Sequence, residues 1–134
     1  MEKSDIHKYS KVGKITEDVA SIVNFKYTGD VYAAPGVIKH IKKRHARGHD
    51  SLSKKVIDNI LPTIENVISE PDYIGNHPRK EGTSIEFVKK VDENLLVAVE
   101  ADLNNNYIYV ASLYPISESK LNNRINSGRL IEYK

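Results

Sequence analysis

The segment Gly36–Leu52, GVIKHIKKRHARGHDSL, contains three histidines, five lysine or arginine side chains and a single acidic residue, Asp50. Histidine is the side chain whose ordinary pKa lies close to neutral pH, so it can donate or accept a proton there. Arginine and lysine bind phosphate oxygens. The segment therefore has the groups that acid–base chemistry on a phosphate ester needs. A basic helix that only contacts solvent is the plainer alternative.

The three histidines differ in the positions that they would occupy on a helix. A helix is predicted over residues 36–46 from the spacing of its apolar side chains, Val37, Ile38 and Ile41. On this helix His45 projects beside the apolar stripe, while His40 shares a face with Arg44. His49 lies past the glycine that ends the helix, so the pair of His45 and His49 does not favour metal binding. We predict no metal and no other cofactor.

A second group of candidate residues lies in YVASLYPISESK, which is predicted to begin as a strand. Alternate side chains of a strand share one face, which we predict for Ile108, Val110, Ser112 and Tyr114. Ser112 and Tyr114 could then hydrogen-bond phosphate oxygens. Further cations follow at Lys120, Arg124 and Arg129. No Gly-x-Ser-x-Gly elbow and no glycine-rich phosphate loop occurs, so neither a serine hydrolase nor a P-loop enzyme is favoured.

The elements that must position these residues predict an α+β fold. Residues 1–14 are polar and lack a period, so we predict a flexible N-terminal arm followed by a single domain over residues 15–134. The segment 15–27 is ambiguous between helix and strand. Helical spacing recurs over residues 52–69, where Pro62 either kinks one helix or starts a second. Three extended segments joined by polar turns then predict an antiparallel meander. A short helix capped by Ser117 follows, and RLIEY is a candidate for a last strand.

Length and composition exclude several classes of protein. The chain has 134 residues, no cysteine and a formal net charge of +2. These values fit one domain and exclude disulfides, a thiolate zinc site and a cysteine nucleophile. The sequence has no apolar run long enough for a membrane span, and its first residues lack the apolar region of a signal peptide. We therefore expect a cytoplasmic protein with no membrane partner.

Four segments together resemble the phage-associated Barnase/EndoU/colicin/RelE-like nucleases, over roughly Pro35–Arg129. They are GVIKHIKKRH, IDNILPTIENVISEPDYI, SIEFVKKVDENLLVAVEAD and YIYVASLYPISESKL. The most specific pieces are the H-x-x-x-R-H helix, the apolar helix with a central proline and a terminal PDYI, and the strand end SLYP. His40, Arg44 and His45 match the helix motif, and Ser112 and Tyr114 match the strand motif.

The resemblance implies an RNase fold in which N-terminal helices pack on a four- to five-stranded antiparallel sheet. It implies cleavage of RNA without a metal, and tRNA is a frequent target among the relatives. Some relatives are toxins that form the tips of larger proteins and act in the cytoplasm of a target cell. For such a toxin we expect a cognate immunity or antitoxin protein that is acidic enough to cover the basic helix.

Metal-free RNA cleavage needs a base for the 2′-hydroxyl, an acid for the departing 5′-oxygen and cations for the charge that builds on phosphorus. We predict the catalytic residues His40, His45, Ser112 and Tyr114 and the phosphate ligands Lys43, Arg44, Lys120 and Arg129. No catalytic carboxylate is identified. Two alternatives remain open: a module of the same fold that binds RNA or a protein without cutting, and an interaction domain of a phage structural protein.

Overall fold

The computed structural model describes residues 9–45, 52–80 and 82–133, without the side chain of His45. Within these ranges the chain forms five helices and one seven-stranded sheet. The helices are α1 (Glu17–Ile22), α2 (Pro35–His45), α3 (Lys54–Ile57), α4 (Ile60–Ser69) and α5 (Glu118–Asn126). The strands are β1 (Ser10–Ile15), β2 (Gly29–Ala33), β3 (Tyr73–Gly75), β4 (Ser84–Lys90), β5 (Asn94–Asp102), β6 (Tyr107–Pro115) and β7 (Leu130–Glu132). No helix in this part of the chain is long and apolar enough to cross a membrane.

The strands follow the order β1-β2-β6-β5-β4-β3-β7, and every neighbouring pair is antiparallel except β2 and β6. The α+β class and the β4-β5-β6 meander are confirmed. The prediction of a four- to five-stranded antiparallel sheet is wrong, because the sheet has more strands and one parallel pair. Strand β7 confirms the candidate last strand in RLIEY, whereas β3 has only three residues, which is too short for alternation to reveal it.

Strand β1 occupies part of the segment that was predicted to be a flexible arm. Residues 10–14 belong to β1 and pair with β2, whereas residues 1–8 lie outside the described residues. A bulge between Lys11 and Gly13 turns both Val12 and Ile15 into the core, where they are 2% and 0% exposed. Their spacing of three residues breaks the alternation that identifies a strand, so the sequence shows no strand period here.

Helices α1 to α4 contribute to the main core on one face of the sheet. The ambiguous segment forms α1 after the end of β1, and the Val19 N–H donates to Thr16 Oγ1 at 3.3 Å to cap it. Helix α4 is a separate helix, with Pro62 in its first turn, where the missing N–H breaks no helical hydrogen bond. Pro62 therefore belongs to the start of a second helix rather than to a kink.

Helix α5 packs against the opposite face of the sheet, which we call the second face. A smaller core lies between them, formed by Val88, Leu96, Ile116, Leu121 and Leu130. The start of α5 is fixed by two hydrogen bonds. The Lys120 N–H donates to Ser117 Oγ at 3.1 Å, which confirms the predicted cap, and Asn94 Nδ2 donates to Glu118 Oε2 at 2.8 Å. These contacts hold α5 beside the end of β6.

Candidate active site

A bulge in β6 decides which face Ser112 and Tyr114 occupy. Val110 pairs with Val99 and Ser112 pairs with Ala98, so Ala111 is an extra residue on β6. Ile108 and Val110 therefore point into the main core, whereas Ser112 and Tyr114 turn to the second face. The prediction that all four side chains share one face is wrong, because strict alternation does not hold across a bulge.

The second face carries a pocket of about 400 Å³ at the end of β6, which we call the cationic pocket. Its charged and hydroxyl side chains come from three elements: Arg44 from α2, Ser112 and Tyr114 from β6, and Lys120 and Arg124 from α5. Helix α2 reaches this place because it follows β2, the neighbour of β6, and packs against β6 itself. Three cations and two hydroxyl groups suit a phosphate, which accepts hydrogen bonds at every oxygen.

The predicted site residues separate into four groups. Four of them, Arg44, Ser112, Tyr114 and Lys120, line the cationic pocket. His40 and Lys43 are exposed on α2 and do not line it. The side chain of His45 lies outside the described residues. Arg129 also lies outside the pocket lining, in an ion pair with a buried carboxylate.

That carboxylate, Glu86, is the residue that the sequence did not reveal. Its side chain is only 4% exposed, although it lies on the second face in register with Ala98 and Ser112. Arg129 donates two hydrogen bonds to it, from Nε to Oε1 at 2.9 Å and from Nη2 to Oε2 at 2.7 Å. The one available signal was a charged residue inside SIEFV, a strand segment whose five residues are all buried.

Glu86 connects the cationic pocket to the rest of the second face. Arg124 lines the pocket, and its Nη1 lies 4.0 Å from Glu86 Oε2. The hydrogen bonds that Arg129 donates to Glu86 raise the pKa of Arg129 above its ordinary value, and the nearby phenol of Tyr114 acts in the same direction. Arg129 therefore stays charged, and the carboxylate of Glu86 holds both arginines beside the pocket.

A glycine makes room for this ion pair. Gly75 of β3 is in register with Glu86, and a Cβ atom at Gly75 would overlap the Arg129 carbonyl oxygen. The backbone at Arg129 therefore approaches β3 more closely than any other residue type would allow. This approach starts β7 and brings the Arg129 side chain over the sheet to Glu86.

Metal ligands do not cluster in the described part of the chain: no three histidine, aspartate or glutamate side chains there lie together as a metal site would require. The chemistry that this face offers from its own side chains is the binding of an anion by arginine, lysine and hydroxyl groups.

Fold and site together define an α+β domain with a cationic pocket on one face of its sheet. The family described as phage-Barnase-EndoU-ColicinE5/D-RelE like nuclease3 matches residues 10–123, and the chain belongs to this family of nucleases. No curated protein and no solved structure matches the chain. The match begins at β1 and ends within α5, so it includes every described side chain of the cationic pocket except Arg124.

Proposed function

We propose that the protein is a metal-independent endoribonuclease that cleaves RNA, with tRNA as the first candidate substrate. One observation carries the proposal: Arg44, Lys120 and Arg124 converge with the hydroxyl groups of Ser112 and Tyr114 in one pocket, beside the helix that bears His40 and His45. The membership in a nuclease family supports a phosphodiester as the ligand of this pocket.

The reaction uses the substrate's own 2′-hydroxyl as the nucleophile. A base removes the 2′-hydroxyl proton, the 2′-oxygen bonds to the adjacent phosphorus, and the bond from phosphorus to the 5′-oxygen breaks. An acid gives a proton to that 5′-oxygen, so the products are a 2′,3′-cyclic phosphate and a free 5′-hydroxyl. Arg44, Lys120 and Arg124 stabilise the charge that develops on the phosphoryl oxygens, and Ser112 and Tyr114 orient them.

His40 and His45 are the candidates for the base and the acid in this proposal. His40 lies one helical turn before Arg44, so it shares a face of α2 with a residue of the pocket. His45 follows Arg44 directly at the end of α2. Both histidines are therefore placed along the helix that forms one wall of the cationic pocket.

Incubation of the purified protein with total tRNA in EDTA tests the proposed reaction. We expect fragments that end in a 2′,3′-cyclic phosphate, because the mechanism needs no metal and passes through the cyclic product. Intact tRNA after prolonged incubation, with a folded protein by circular dichroism, would contradict the proposal.

Histidine variants test the assignment of the base and the acid. We expect His40→Ala and His45→Ala to slow cleavage, each by about 10²- to 10⁴-fold, as removal of a general acid or base does. His77→Ala is the matched control, since His77 lies in the connection between β3 and β4 and accepts a hydrogen bond from the Arg79 N–H at Nδ1. Unchanged cleavage by His40→Ala and His45→Ala would contradict the assignment of these histidines as base and acid.

RNA binding without cleavage is the second candidate function, and one observation favours it. The described side chains of the cationic pocket include neither a histidine nor a carboxylate. A pocket with that composition binds phosphate whether or not it activates a 2′-hydroxyl. Binding that weakens steeply with salt, together with tRNA that stays intact, would select this function over the nuclease.

A further inference from the structure

A row of aromatic side chains leads away from the cationic pocket along β6. Ala98, Glu100 and Asp102 alternate on β5, and their β6 partners are Ser112, Tyr109 and Tyr107, so all of these residues lie on the second face. The ring centroids of Tyr107 and Tyr109 lie 5.5 Å apart with an angle of 31° between the rings. Both side chains are partly exposed.

This row ends at a second pocket of about 410 Å³, which we call the tyrosine pocket. Three tyrosines line it, Tyr27, Tyr32 and Tyr107, together with the polar side chains of Thr28 and Asn106. Aromatic walls with a few hydrogen-bonding groups are the usual composition of a site for a nucleobase, which stacks on rings and is read along its polar edge.

Two carboxylates, Asp30 and Asp102, also line the tyrosine pocket, and Glu100 contacts Tyr109 beside it. Asp30 forms an ion pair with Lys11, with 3.2 Å between Oδ1 and Nζ, and Glu100 forms one with Lys80, with 3.1 Å between Oε2 and Nζ. Asp102 Oδ1 accepts hydrogen bonds from the backbone N–H groups of the following turn. Lys11 and Lys80 each oppose one of these charges, whereas the neutral N–H donors leave the charge of Asp102 in place, so the pocket suits an uncharged base and not a phosphate.

The distance between the two pockets is longer than a single nucleotide can span. Tyr107 and Ser112 are five residues apart on β6, which corresponds to roughly 15 Å along a strand. A phosphate in the cationic pocket and a base in the tyrosine pocket therefore belong to different nucleotides of one strand. The bases of such a strand must be unpaired to stack on the tyrosines, so the strand is single-stranded.

We propose that the tyrosine pocket binds a base of single-stranded RNA whose scissile phosphate lies in the cationic pocket, with the intervening strand along Tyr109. This inference rests on the proposed function for the scissile phosphate, but the base site itself is tested by binding alone. It makes the substrate a single-stranded RNA segment longer than a dinucleotide.

Binding of uncleavable RNA tests the base site. We expect wild-type protein to bind a 2′-fluoro hexanucleotide at least tenfold more tightly than a 2′-fluoro dinucleotide, because stacking on an aromatic side chain has about this effect per base. Tyr107→Leu should remove the advantage of the hexanucleotide and leave dinucleotide binding unchanged. Tyr133→Leu is the matched control, since Tyr133 is a partly exposed tyrosine whose hydroxyl donates to Asp18.

Photo-crosslinking of the wild-type protein avoids dependence on a variant that could unfold. A hexanucleotide that carries 4-thiouridine should crosslink to the peptides that contain Tyr32 or Tyr107. An unchanged length advantage in folded Tyr107→Leu, or crosslinks confined to other peptides, would overturn the proposal. A protein that cuts RNA but shows no length advantage leaves the nuclease function standing. A protein that shows the tyrosine-dependent advantage but never cuts refutes only the nuclease function.

Discussion

Glu86 is the counterion of two arginines on the second face of the sheet. Its carboxylate is buried, accepts two hydrogen bonds from Arg129 and lies 4.0 Å from a nitrogen of Arg124. An ionised carboxylate inside a sheet is costly unless it is paired in this way. Because Arg124 also lines the cationic pocket, the same carboxylate holds one of the three cations that we propose for phosphate binding.

We expect Glu86→Gln to destabilise the protein by roughly 2 kcal/mol, since it removes charge-assisted hydrogen bonds and leaves two arginines without their counterion. Urea denaturation measures the change. The control is Glu100→Gln, which breaks the ion pair with Lys80. The Lys80 side chain is 50% exposed, so this variant should lose less than about 1 kcal/mol of stability. Equal losses in the two variants would contradict the structural role of Glu86.

Arg124 and Arg44 should matter more for catalysis than for stability. We expect Arg124→Ala and Arg44→Ala each to lower kcat for RNA cleavage by about 10²-fold, because each removes a donor from the developing phosphoryl charge. Lys39→Ala is the control, since Lys39 is an exposed cation on α2 that does not line the cationic pocket. Cleavage rates at saturating tRNA give kcat for each variant. An equal loss of kcat in Lys39→Ala would indicate a diffuse basic surface instead of a defined pocket.

At the scale of the elements, two bulges shape the sheet. The bulge in β1 turns Val12 and Ile15 to the same face, and the bulge at Ala111 turns Ser112 and Tyr114 away from the main core. Each bulge shifts the alternation of side chains by one residue. The burial of Val12 and Ile15 therefore depends on the first bulge, and the position of the Ser112 and Tyr114 hydroxyl groups in the cationic pocket depends on the second.

Close packing at the first bulge predicts a stability effect at Gly13. A Cβ atom at Gly13 would lie 2.6 Å from Ile68 Cγ2, so we expect Gly13→Val to cost roughly 2 kcal/mol by forcing β1 and α4 apart. Gly36→Ala is the control, because nothing lies within 4 Å of that position on α2, and it should be neutral or stabilising by up to about 1 kcal/mol. Urea midpoints compare the two, and a stable Gly13→Val would refute the close approach.

The turn between β5 and β6 predicts a dependence on pH. Hydrogen bonds from the Asn105 side chain, and from the backbone N–H groups of Asn105 and Asn104, lower the pKa of Asp102 below its ordinary value. A lowered pKa adds stability that is complete above the ordinary value and is lost as the pH falls through the folded-state value. We therefore expect Asp102→Asn to lower the urea midpoint at pH 7, with a difference from wild type that shrinks as the pH is lowered towards 2.

The control for this pH dependence is Asp92→Asn, in the exposed turn between β4 and β5. Its urea midpoint should follow that of the wild type at both pH values. A difference between Asp102→Asn and wild type that stays constant from pH 7 to pH 2 would show that the carboxylate charge is not what stabilises the turn.

For the whole molecule, the features that could be predicted from the sequence are those with a local signal. The apolar spacing of α2 and α4 and the three meander strands are visible within short windows, and so is the Ser117 cap. The α+β class follows from their order. The parallel pairing of β2 with β6 and the short strand β3 have no such signal, because long-range pairing decides them.

The candidate site divides in the same way. Arg44, Ser112, Tyr114 and Lys120 could be selected by residue type and by motif, and α2, β6 and α5 bring them to one pocket. Glu86 could not be selected, since its burial depends on Arg129 far along the chain. The exposure of His40 depends on how α2 is turned when Ile41, 0% exposed, enters the core, which the sequence of the helix does not fix alone.

The central claim, cleavage of RNA by attack of its own 2′-hydroxyl, is tested most directly with a chimeric strand. A single ribonucleotide is placed in an otherwise DNA oligonucleotide, in a pool whose bases around that position are randomised, and the pool is incubated with the protein in EDTA. We predict one cut, on the 3′ side of the ribonucleotide, that leaves a 2′,3′-cyclic phosphate and a 5′-hydroxyl. Cleavage at deoxynucleotides would contradict the claim. So would a chimeric strand that stays intact while tRNA is cut to products without 2′,3′-cyclic phosphate ends.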